Sequence, residues 1–280
     1  MVFAVILSGV GPVLVRDSPV DPAATAFWRL FVGLPVALYL IRRSILLPRR
    51  AMFGVAVAGA LLSSDLMLWN TALIKTTILE ATILVMVYPV IAAVASYLIF
   101  KERITRRLAA GGGIAFLGLL LMVAHNGGSG TSSLEGDLLA IGAAFCYAGS
   151  LLISARLCRA YDTMIVSFWL MFFASLTALP FGLIEGRSVP QTPEGWGYIL
   201  FYAAITLTGY ILFNRGLKTV PTGLASLMGY AQPVVATILG VLVLKEVPSW
   251  NGILGGIIII LGLVLATREA DRGEATKPAQ

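Results

Sequence analysis

The chain has 280 residues; AVILMFWYC account for 58% of them and charged residues for only 12%, with mean hydropathy +0.91 and a formal net charge of +6. A soluble globular domain carries about 25% charged residues, so this composition excludes a water-soluble enzyme or binding module and points to an all-α integral membrane protein. No basic segment precedes the first apolar run, so no secretory signal is read, and with only Met1 before Val2 the chain is expected to start inside or just before its first helix.

Ten apolar runs are candidates to cross a hydrocarbon layer roughly 30 Å thick. The first five are predicted at 1–16, 24–41, 51–70, 78–100 and 108–124. The second five are predicted at 134–155, 164–184, 197–214, 222–244 and 250–267. The first run is short, and the connections leave no room for a soluble domain. Residues 126–133, NGGSGTSS, form a flexible polar linker that divides the chain into two five-helix halves, 1–125 and 134–267. Residues 268–280 read as a solvated tail. Cys146 and Cys158 fall in or at the end of the sixth helix and read as small hydrophobic residues of a reduced protein. His125 ends a helix at the membrane edge and is no part of a metal-ligand cluster.

Basic residues set the orientation. With the N-terminus cytoplasmic, fifteen of the twenty Lys and Arg residues fall on the inner side. Arg16, Lys75, Arg187 and Lys245 fall outside, and Arg29 lies within the second helix. Topology therefore accounts for the positive charge, and no nucleic-acid partner is expected. Both termini are then cytoplasmic, and an odd number of helices per half makes the second half enter the membrane from the opposite side.

The halves also repeat. Laying residues 70–118 over 214–262 gives 14 identities in 49 positions without a gap. Asn70 meets Asn214, Pro89 meets Pro233, Lys101-Glu102 meets Lys245-Glu246, and Gly111, Gly112 and Gly118 meet Gly255, Gly256 and Gly262. Inverted repeats whose apolar segments carry a proline at matching positions point to a transporter with its site near the membrane midplane.

The fourth and ninth helices, EATILVMVYPVIAAVASYLIFKERIT and GLASLMGYAQPVVATILGVLVLKEVPSW, with the PVDPAATAFWRLFVGLPVAL segment, carry a family resemblance. The chain resembles the EamA-type branch of the drug/metabolite transporter superfamily over nearly its whole length. Within that branch its size and architecture are similar to the YddG-type amino-acid exporters. The resemblance implies secondary transport of amino acids, metabolites or toxic cations across a cell membrane, such as a bacterial inner membrane. It implies no cofactor and no use of ATP.

Chemistry is sought at the two kinks. Pro89 lacks an N–H and frees the Val85 carbonyl, and Pro233 does the same to Gly229. Freed carbonyls survive in a membrane only against protein or a water-filled cavity. The preceding turns therefore supply the candidate substrate-binding wall: Leu84 and Tyr88 in the fourth helix, Met228 and Gln232 in the ninth. Simple bends in packed helices are the alternative. Trp28 and Trp169, at approximately matching positions, either line the cavity or sit in packing contacts.

Asp65 is the rarest group. A carboxylate at membrane depth costs about 2.5–3.5 kcal/mol on insertion scales and is a functional candidate by default. It either relays a coupling proton or binds a cationic group, or it forms an ion pair with Arg29. Glu80 is read as a helix cap or a partner of Lys75. The glycine clusters of the fifth and tenth helices suit close packing between halves or between protomers.

Two other classes fit poorly. A membrane enzyme needs a catalytic pair at depth, and neither a Gly-x-Ser-x-Gly motif nor a metal-ligand spacing is present. A channel needs rings of charge or filter carbonyls along one continuous path. With Arg29 the main basic group at depth, neutral, zwitterionic or cationic solutes are favoured over multiply anionic ones.

Overall fold

The computed structural model describes residues 1–16, 18–41, 45–76, 78–102, 104–124, 133–184, 186–244 and 249–267. Arg42, Arg43, Arg103, His125, the linker apart from Ser133, Lys245-Glu246 and the tail 268–280 lie outside the described residues.

Among the described residues every regular element is a helix. The first half comprises α1 (Val2–Arg16), α2 (Pro22–Phe31), α3 (Leu34–Leu40), α4 (Arg49–Lys75), α5 (Ile78–Val85), α6 (Tyr88–Phe100) and α7 (Arg106–Ala124). The second comprises α8 (Leu134–Ala160), α9 (Thr163–Ile184), α10 (Pro193–Thr219), α11 (Thr222–Leu227), a 3-10 turn (Met228–Tyr230), α12 (Ala231–Leu244) and α13 (Trp250–Thr267). Among the described residues nine stretches are long and apolar enough to cross a membrane, and Val2–Gly11 adds a shorter apolar helix, matching the predicted runs one for one. Proline opens α2 and α10, where its missing N–H is one that the helix leaves unbonded anyway. At α10 the Thr192 hydroxyl also accepts from the Gly195 N–H at 3.1 Å. The α6 helix stops at Lys101, whose left-handed backbone (φ 55°) turns the chain out of the membrane.

Three spans are broken rather than continuous. The second splits into α2 and α3 ahead of Pro35, the fourth into α5 and α6 ahead of Pro89, and the ninth into α11, the 3-10 turn and α12. The Pro35 break was not anticipated from the sequence. Pro180, by contrast, is carried inside an unbroken α9.

The glycine clusters form one seam inside the chain. A β-carbon added at Gly111 would lie 2.5 Å from the Gly262 carbonyl oxygen, and one at Gly118 would lie 2.8 Å from that of Gly255. The reciprocal additions at Gly255 and Gly262 meet Gly118 and Gly111 at 2.5 and 2.6 Å. These pairs run antiparallel, and exchanging the repeats maps one pair onto the other. The seam between α7 and α13 is thus the pseudo-two-fold contact of an inverted repeat, and it joins the halves through backbone contact. Large apolar side chains such as Phe53, Leu98, Phe145, Ile184 and Leu242 cover the outer surface, as lipid contact requires.

Candidate functional site

A small cavity of about 30 Å³, room for little more than a water, lies among α4, α8, α9 and α10, far below the roughly 300–1,000 Å³ of a ligand pocket. Leu62, Leu151, Leu170, Phe213 and Leu217 make its apolar wall; Tyr147, Ser150, Ser154, Tyr210 and Asn214 supply polar groups. Several of these are already engaged. Ser150 Oγ donates to the Ala58 carbonyl at 2.8 Å, and Asn214 Nδ2 donates to Ser167 Oγ at 2.8 Å. Tyr147 and Tyr210 make no hydrogen bond among the described residues, which leaves two phenols free to address a solute.

Asp65 follows Leu62 by three residues on α4, which places it one turn along from the cavity wall rather than in the lining itself. The carboxyl is buried, with 8% exposure, and acts electrostatically on Tyr88, Cys146, Tyr147 and Tyr210. The sequence left a direct ion pair with Arg29 open. The two groups do interact electrostatically, yet none of the ion pairs within 4 Å among the described residues joins them. Arg29 Nη1 instead donates to Tyr202 Oη at 2.5 Å. Lys75 likewise pairs with Glu135, while Glu80 accepts from the Thr76 hydroxyl at 2.8 Å.

The kinks meet each other. A β-carbon at Gly229 would collide with the Tyr88 hydroxyl, and Ser226 Oγ donates to the Pro89 carbonyl at 3.2 Å. Tyr88 is buried and stands edge-on to Tyr147, with centroids 4.5 Å apart, so it backs the cavity wall. Met228 and Gln232 are half-buried. Leu84 packs with Ala72, Ala81 and Ala140 on another side of its helix.

Both tryptophans are held by loop carbonyls of the opposite half. Trp28 Nε1 donates to the Ser188 carbonyl at 2.7 Å, and Trp169 Nε1 donates to the Ile45 carbonyl at 2.8 Å. The sequence carries a sign of this that was missed: Asp, six residues, then Trp occurs at Asp21–Trp28 and again at Asp162–Trp169. Each helix thus clasps the other half's loop, one at each membrane face. Asp21 strengthens its clasp by accepting from the Arg187 backbone N–H and Nε, both at 3.0 Å. That backbone bond first, then the guanidinium, holds the Asp21 carboxyl below the usual carboxylate range. A depressed value means stabilisation that is present above about pH 4 and lost as pH falls through the folded value. The wild-type unfolding midpoint is therefore expected to exceed that of Asp21→Asn by about 1–3 °C at neutral pH, with the difference vanishing below pH ~3. A difference that does not change with pH would contradict this.

At the face that carries Met1, Glu102 accepts from Arg159 Nη2 at 2.6 Å, from Thr222 Oγ1 at 3.1 Å and from the Gly223 N–H at 3.3 Å. This carboxylate ties the end of α6 to α8 and to the start of α11, and so spans the two halves.

Residues 1–124 and 134–268 both match the EamA-like transporter family. The chain belongs to that family. Among its relatives it is 28% identical to YetK, an uncharacterized transporter of Bacillus subtilis, over 73% of this chain and 64% of YetK, so that match spans under two thirds of YetK's length. An uncharacterized transporter of Archaeoglobus fulgidus is 24% identical over 96% of this chain and 95% of its own. The pseudopaline exporter CntI of Pseudomonas aeruginosa is 26% identical over 88% and 87%. A crystal structure at 23% identity superposes with a TM-score of 0.81, covering 95% of this chain and 96% of that one, and shows the fold. This EamA-family chain is a multi-pass membrane transporter, and the family gives no ground for reading it as an enzyme.

Proposed function

We propose that the chain is a secondary exporter of small neutral, zwitterionic or cationic metabolites, amino acids first, that works by alternating access in a bacterial inner membrane. The halves 1–125 and 134–267 are the two rocking units, and the small cavity one turn from Asp65 is where the substrate chamber opens during the cycle. One observation carries the reading: Asp65 on α4 is a carboxyl buried inside the helix bundle that makes no hydrogen bond or close ion pair among the described residues. Two broken spans meet beside it, which suits a chamber that opens to each side in turn. Export as the direction draws support from CntI, whose name describes an exporter. Export of toxic cations is the second reading, favoured by the same carboxyl.

Both termini are assigned to the cytoplasm. A cysteine at the exposed Gln191 is then expected to react with an impermeant maleimide in intact cells, and one at the exposed Asp162 is not. The reverse pattern would invert the orientation.

Asp65 is assigned the coupling proton, with Arg29, Tyr88, Cys146, Tyr147 and Tyr210 as the titratable groups around it. Asp65→Asn is expected to abolish stimulation by an imposed pH gradient. Slower, gradient-independent exchange should persist at saturating substrate. Folded yield should stay near the wild-type level, because no close ion pair is broken. Full gradient stimulation in the variant would remove Asp65 from the coupling.

A further inference from the structure

The Lys101-Glu102 pair that marks the repeat has a place in the structure outside the cavity. Lys101, with its left-handed backbone, ends α6, so Glu102 sits at the membrane face that carries Met1. One carboxylate oxygen accepts from Arg159 Nη2 at 2.6 Å and from Thr222 Oγ1 at 3.1 Å, and the other accepts from the Gly223 N–H at 3.3 Å. Arg159 Nη2 also donates to Thr222 Oγ1 at 2.9 Å, which closes a ring of three bonds. The Arg159 guanidinium carbon lies 5.3 Å from the Phe100 ring centroid. Glu102 and Phe100 come from the first half; Arg159, Thr222 and Gly223 come from the second. Hydrogen bonds to a carboxylate are the strong ones, and the Glu102 side chain is only 17% exposed.

The ring continues inwards as a seam between α6 and α11. A β-carbon added at Gly223 would lie 3.4 Å from Ser96 Oγ and 3.6 Å from the Ala93 α-carbon. Deeper still, Ser226 Oγ donates to the Pro89 carbonyl at 3.2 Å, so the seam runs from the face to the broken spans. On α8, Ser154 of the cavity wall precedes Arg159 by five residues, about 7.5 Å along the axis, so the ring lies nearer that face than the cavity does. We propose that Glu102, Arg159 and Thr222 form a gate that shuts the cavity off from the Met1 face and must break each time the chamber opens there. The assignment rests on the alternating-access reading of the same cavity and adds the contact that closes one side of it. Glu102 is a positioning residue: it meets no solute, and its bonds exist only in the conformer closed at that face. Removing its charge should therefore shift the population towards the conformer open there.

The probe is a cysteine at Ser154, in a chain whose Cys146 and Cys158 are replaced by alanine. An impermeant maleimide is applied to sealed vesicles on the Met1 face or on the opposite face. Labelling rates are compared for the unaltered gate, Glu102→Gln, Thr222→Val and Glu135→Gln. Glu102→Gln should speed labelling from the Met1 face at least tenfold and should not speed it from the opposite face. Thr222→Val keeps the side-chain shape and should act in the same direction by a smaller factor. Glu135→Gln is the control and should leave the Met1-face rate unchanged, because its pair with Lys75 is exposed and contributes little. An unchanged Met1-face rate in Glu102→Gln overturns the gate. An equal rise from both faces also overturns it, since that is general loosening of the fold. A cysteine pair at Ala93 and Gly223 decides the matter if Glu102→Gln fails to fold, because the 3.6 Å approach there is within disulfide reach. Oxidising that pair should slow Met1-face labelling of position 154 at least tenfold, and labelling that persists at the reduced rate overturns the gate. Labelling that responds as expected in a chain that moves no radiolabelled solute across the vesicle membrane would remove the transport reading and leave the gate in place.

Discussion

Replacing Gly118 by leucine is expected to cut the yield of folded protein at least tenfold, and Gly262→Leu should do the same. At both positions the added atoms would meet backbone, at 2.8 Å for Gly118 and 2.6 Å for Gly262, so no neighbouring rotamer can make room. Overpacking against side chains costs typically 1–3 kcal/mol, and a backbone seam has less freedom to relax. The helices would have to separate, and the lost contact is the symmetric one between the halves. Gly113→Leu is the matched control, since a β-carbon there meets nothing within 4 Å. Size-exclusion profiles of the three variants decide the matter. Wild-type yield for Gly118→Leu would show that the seam is not the spine joining the repeats.

The second large effect is kinetic. Pro89→Ala restores an N–H at the break between α5 and α6, and Pro233→Ala does so in α12 just past the 3-10 turn. An interior proline disfavours a continuous helix by about 3 kcal/mol, so alanine biases either break towards a straight span by roughly two orders of magnitude. If opening and closing require these bends, transport should slow by tenfold or more while folded yield falls much less. Flux per molecule of folded transporter measures this directly. Normal flux in both variants would make the paired prolines simple bends.

Hydropathy made the spans legible, because an apolar run of this length in a chain with 12% charge has few other uses. The repeat made the inversion legible through Pro89 and Pro233 and through the glycines, which now stand against one another across α7 and α13. Tyrosines escaped notice for a physical reason. Tyr147, Tyr202 and Tyr210 lie in apolar helices where an aromatic ring ordinarily reads as core or as an interface anchor. Only the placement of Tyr202 and Tyr210 on the face of α10 that also carries Phe213 and Asn214 could have singled them out. The tryptophan clasps were hidden because their acceptors are backbone carbonyls, which leave no mark on residue type. Whether Asp65 pairs with Arg29 depended on a few ångströms of side-chain placement, and no spacing rule in sequence reaches that scale.

Flux of radiolabelled amino acids through proteoliposomes, with and without an imposed pH gradient, is the most direct measurement. Alternating access around the Asp65 chamber predicts saturable flux that the gradient stimulates in the wild type and fails to stimulate in Asp65→Asn. Flux that rises linearly with concentration, or that the gradient drives equally well in Asp65→Asn, would contradict it.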